Sequence, residues 1–127
     1  MIKSTNQADE LLKEFGRAVF DRFDHVLASL RPMLGERDFP SDQAFRSLLA
    51  LAAENDRPML IAQYGLEHFM HELMATLEDS EIFHLVAKTP DGHFIDLKQF
   101  SESGLHAEQI YWQEEFSTHE SISQKIV

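Results

Sequence analysis

The chain has 127 residues, 43% hydrophobic and 26% charged, with ten Phe, no cysteine and a net charge of −11. That length suits a single domain spanning 1–127, and enough apolar residues are present to fill a core, which excludes intrinsic disorder as the expectation. The lack of cysteine excludes disulfides, thiol catalysis and thiolate metal sites, and it suits a reducing compartment.

The charge is unevenly placed. Residues 66–127 carry twelve Asp/Glu against three Lys/Arg, whereas residues 1–65 carry ten against eight. An asymmetry of this kind repels nucleic acid and anionic lipid and attracts a basic protein surface. Residues 1–7 are polar and lack the apolar centre of a signal peptide. The longest apolar runs, 48–53 and 59–62, fall far short of the ~20 residues that span a bilayer. A soluble, cytoplasmic protein is the expectation, with neither membrane nor nucleic acid as partner.

In chain order, the first element is an amphipathic helix over about 5–31. Leu12, Phe15, Val19, Phe23, Val26 and Leu30 recur at steps of three and four and define its inner stripe. Ser4 and Gln7 have capping-box spacing, and Pro32 predicts the stop. Glu10, Lys13, Arg17, Asp21 and Asp24 fall on the opposite, solvated side.

A second helix is expected over about 42–55, with Ser41 or Asp42 as cap and Phe45, Leu48, Leu49 and Ala52 facing inward. A third begins at Pro58 and runs to Thr76 or Glu78. Met59, Leu66, Phe69, Met70, Leu73 and Leu77 form its expected core face, and Gly65 weakens it by roughly 1 kcal/mol relative to alanine. A short strand at 59–64 is the alternative.

Thr89-Pro90-Asp91-Gly92 predicts a type I turn joining two strands within 82–98. Pairing Thr89 with His93 sets Ala87 opposite Ile95, Leu85 opposite Leu97 and Phe83 opposite Gln99. One face then carries Phe83, Leu85, Ala87, Ile95 and Leu97, and a slip of one residue would destroy that sorting. Val86 and Phe94 interrupt the polar outer face, which offers an edge for pairing with a second copy. A last helix is expected from Leu105 to Phe116 with Ser103 as cap, although 109–113 also reads as a strand. Residues 117–127 read as a frayed tail or a short edge strand.

Motifs for catalysis are lacking. There is no Gly-x-Ser-x-Gly elbow, and the five glycines are too scattered to cradle phosphate. Six of the seven histidines lie in the second half, and His68, His71 and Glu72 share a helix face that suggests metal or small-molecule binding. The spacing nevertheless fits neither His-Glu-x-x-His nor paired Glu-x-x-His motifs. The segment 102–120 joins Glu102, Glu108, Glu114 and Glu115 to Tyr111 and Trp112 with no basic residue among them. Glutamates would form a charged rim and the aromatics anchors, although Trp112 and Phe116 at i, i+4 also have core spacing.

The expectation is therefore an α+β protein of three N-terminal helices, a hairpin packed on them and a C-terminal helix. It would act by binding, without catalysis or cofactor, as an immunity or inhibitor protein that neutralises a basic toxin such as a nuclease. The partner-binding residues would be Glu102, Glu108, Tyr111, Trp112, Glu114 and Glu115. Two alternatives stand beside it: metal or small-molecule binding by His68, His71 and Glu72, and a structural homodimer.

Overall fold

The computed structural model describes residues 5–126 and is mostly helical. Helix α1 spans Thr5–Gly35, α2 Pro40–Leu51, α3 Arg57–Asp79, α4 Leu105–Phe116 and α5 Ile122–Lys125. An antiparallel hairpin, β1 Val86–Lys88 and β2 Phe94–Asp96, lies between α3 and α4. Short 3-10 turns occupy Glu54–Asp56 and Leu97–Phe100. Helices with a hairpin were expected, and the structure has more helix and shorter strands than the sequence suggests. No helix among the described residues is long and apolar enough to cross a membrane.

Helix α1 continues through Pro32 instead of stopping there. Proline removes one helical hydrogen bond, but the extra turn carries Met33 and Leu34 into the core, and Met33 is only 4% exposed. The expected cap at Ser4 lies outside the described residues. Helix α2 starts earlier than expected because Pro40 occupies its first turn, with Phe39 at the N-cap. Asp42 is not a cap: it is fully buried and bonded to Arg37 and Tyr64.

Helix α3 organises the molecule, and its packings with α1 and α4 are the two most extensive. Leu60, Ile61, Tyr64 and His68 form one stripe of α3. Tyr64 stacks on Phe45 of α2 at 3.8 Å between ring centroids, and with Met33 and Ile122 they make the main core. Alongside, α1 crosses where Gly65 leaves room. A methyl group there would lie 3.3 Å from Leu30 Cδ1 and Cδ2, so the glycine permits the close approach of the two helices. Phe23 meets Phe69 edge to face at 6.2 Å in the same seam.

The hairpin has the predicted register, with Ala87 opposite Ile95 and Gly92 at φ 91° closing the turn. Leu97 N still bonds Leu85 O at 2.9 Å, but beyond it the expected Phe83–Gln99 pairing gives way to a 3-10 turn. Lys98 explains the departure. Its Nζ donates to the Glu78 and Ser80 carbonyls at 3.2 and 2.9 Å, drawing the strand onto the C-terminal end of α3. Phe83, three residues ahead of β1, packs edge to face on Phe15 of α1, whereas β1 itself is exposed along its length, Ala87 of the expected inner face included.

Helix α4 matches its expected span, but Glu78 of α3, rather than Ser103, satisfies its first amide: Leu105 N donates to Glu78 Oε2 at 2.9 Å. The tail is neither frayed nor a strand. Ser121 caps α5 through Gln124 N, and Ile122 is 1% exposed within the core. Glu67 fastens this segment, accepting from Ile122 N at 3.0 Å and from Gln113 Nε2 at 2.9 Å.

Candidate protein-binding surfaces

Leu105 and Gln109 point α4 inward, which fixes the direction of its other residues. Glu108, Tyr111 and Glu115 recur at three and four and share the outward side. Tyr111 is 57% exposed and Glu115 is exposed, while Glu108 is half-buried and accepts from Ser101 Oγ at 2.9 Å. Glu114 lies nearby and accepts from Gln124 Nε2 of α5. Glu102 and Glu120 are exposed in the segments before and after α4. Among the described residues, none of these five carboxylates has a Lys, Arg or His at ion-pair distance. Trp112 leaves the group: it turns toward α3 and lines a groove with Leu66 and Met70.

That groove belongs to a second surface. On α3, Met59, Ala62, Leu66, Met70 and Leu73 recur at three and four on the side away from the Tyr64 stripe. The sequence reading placed Met59, Leu66 and Met70 in the core. In the folded chain, Met59 is 68% and Leu66 64% exposed, because α2 and α5 cover only the opposite side of α3. Periodicity shows that a face is built for burial, but it does not say what buries it.

Two grooves run along this open face. Between α1 and α3, about 450 Å³ is lined by residues including Phe23, Leu27, Leu66 and Phe69, with no charged side chain among the described residues. Between α3 and α4, about 620 Å³ is lined by residues including Met59, Leu66, Trp112 and Phe116. Ala62 and Leu66 line both, so they form a ridge between the grooves. Leu27 and Phe20, which extend the face along α1, fall outside the stripe marked in the sequence. Their apolar character off that stripe is the signal of a second apolar face.

The histidine cluster does not converge. His68 Nδ1 donates to the Tyr64 carbonyl at 2.8 Å, and its ring packs edge to face on Tyr64. His71 instead meets His106 of α4, with ring centroids 5.7 Å apart. Glu72 turns toward α1 and lies 3.3 Å from Arg22 Nη1. Among the described residues, no three His, Asp or Glu side chains come together as a group able to hold a metal ion. A cavity of about 210 Å³ does open beside His68 and His71, bordered by Ser41, Gln109 and Ser123.

The fully buried Asp42 belongs to a closed network. Arg37 Nη2 donates to Oδ1 at 3.1 Å, Arg37 Nε donates to Oδ2, and Tyr64 Oη donates to Oδ1 at 2.7 Å. Burial alone would raise the Asp42 carboxyl. The Arg37 and Tyr64 hydrogen bonds outweigh it and hold the group below the ordinary carboxylate range. Burial and the bond to Asp42 push the Tyr64 phenol well above its usual range. Arg37 and Asp42 neutralise each other, and the network ties α2 to α3. Compared with protein-family models, curated proteins and solved structures, the chain matches none.

Proposed function

We propose that this chain is a binding protein that works through contact with another protein and not through catalysis. The supporting observation is the outward side of α4, where Glu108, Glu114 and Glu115 flank an exposed Tyr111 with no cation at ion-pair distance among the described residues. Carboxylates so placed steer a basic surface into contact, and a half-exposed tyrosine supplies the apolar anchor that charge alone lacks. Glu102 and Glu120 extend the negative field to either side. In its concrete form, the protein covers the cationic cleft of a basic toxin, such as a nuclease, in the manner of an immunity or inhibitor protein. A cysteine-free chain suits the cytoplasm as the place of action.

The test is affinity capture from native lysate at low and high salt, with wild-type protein and the double variant Glu108→Lys/Glu115→Lys as baits. The expected result is a basic protein held by the wild type at low salt, released at high salt and not captured by the variant. Equal capture by both baits would place the contact elsewhere. A second reading, small-molecule binding, rests on the 210 Å³ cavity, where Gln109 Oε1 is buried without a hydrogen-bond partner among the described residues. Identification of small molecules released on denaturing the purified protein separates it from the first.

A further inference from the structure

We infer that the open face of α1, α3 and α4 is covered by a second copy of this chain, so that the protein is a homodimer. Total exposed area carries the argument. A compact monomer of 14.7 kDa exposes ~6,900 Å² by the usual scaling of surface with mass. This chain exposes 9241 Å², an excess of roughly 2,300 Å². That excess is spread over the whole chain, the exposed hairpin included, so about 4,600 Å² is an upper bound on what two copies could cover, and it leaves room for an interface of homodimer size.

The excess includes an apolar surface of the kind monomers do not leave in water. Leu27, Met59, Leu66 and Phe116 are each more than half exposed on the one face. Isolated apolar side chains are ordinary on a surface, but these four border two adjoining grooves and act as one patch.

Shape and charge select the second copy over a different protein. The Ala62–Leu66 ridge stands between the two grooves, so the face holds both the projection and the recess that a two-fold contact requires. Among the described residues the α1–α3 groove has no charged lining residue. The one carboxylate lining the α3–α4 groove, Glu67, is already bonded to Gln113 and Ile122, so the face offers little to the cationic partner proposed for α4. The carboxylates of α4 outside the groove linings remain on the periphery of this arrangement. The dimer contact and the basic-partner contact are thus separate surfaces, and either stands without the other.

Sedimentation of the full chain across a concentration series tests this, using wild type, Leu66→Arg, Leu27→Lys and Phe94→Lys. All three positions are at least 57% exposed in the single chain, so folding, checked by helical circular dichroism, should survive. The expected result is a wild-type particle of about 29 kDa, twice 14.7 kDa. Leu66→Arg and Leu27→Lys should weaken association about 30-fold or more, as loss of a central apolar anchor does. Phe94→Lys, on the outer face of the hairpin, should leave it unchanged. A wild-type monomer at every concentration overturns the inference. So does a dimer that Phe94→Lys dissociates while both groove variants leave it intact.

Discussion

Asp42 has no exposure, and both Arg37 and Tyr64 donate to its carboxylate. Removing the carboxylate leaves a buried phenol and a guanidinium without their acceptor, so Asp42→Ala should cost about 3–5 kcal/mol in urea unfolding. The pH dependence follows from the two shifts. Asp42 is depressed when folded, so its contribution is complete above the unfolded carboxylate range and is lost as pH falls through the folded value. Tyr64 is raised, so its contribution is complete below the ordinary tyrosine range and declines as pH rises above it. Stability measured against pH should fall at both ends, and Tyr64→Phe should remove the Tyr64 share of the alkaline loss. Glu67 has the comparable role for the tail. Glu67→Ala releases Ile122 N and Gln113 together, for about 1–3 kcal/mol, and should speed amide exchange at Ile122 before the rest of the core. Retained protection at Ile122 would show that its apolar packing alone holds α5.

At the level of elements, α3 explains both the success and the failure of pattern reading. Phe45→Ala should cost about 3–5 kcal/mol, because it empties the side of α3 that the chain itself covers. Leu66→Ala should cost little in the separated chain, and the difference between the two is measurable by thermal unfolding at low concentration. The positions of the long helices were legible because apolar periodicity marks them locally, and α4 was read to its end residues, but proline misplaced the end of α1, which runs on through Pro32. The hairpin register was legible because alternation and the Thr89–Gly92 turn agree on it. The inner side of α3 was not legible, since both of its long sides are apolar and only tertiary packing decides which one α2 meets. The place of Lys98 and Glu78 was equally hidden: each caps a helix end from a distant segment, a relation absent from local sequence. Helix α5 was missed although Ser121 and Gln124 have capping-box spacing, because four residues are too few for periodicity to register. Of the six expected binding residues, Trp112 faces α3 and lines the groove, in keeping with its i, i+4 relation to Phe116.

The whole molecule combines a net charge of −11 with an uncovered apolar face, and salt should affect its two proposed contacts in opposite directions. Added salt screens repulsion between two acidic copies and should tighten the dimer, whereas it should weaken binding of a basic protein to α4. Methionines offer the most direct view of whether the face is covered in solution. Met59 and Met70 are 68% and 42% exposed on the single chain, while Met33 at 4% is a built-in buried reference. Oxidation by peroxide, resolved residue by residue, reports their access to solvent. Slow oxidation of Met59 and Met70 at high protein concentration, rising on dilution while Met33 stays protected, is the predicted result. Fast oxidation of both at every concentration, with Met33 protected, would contradict a covered face.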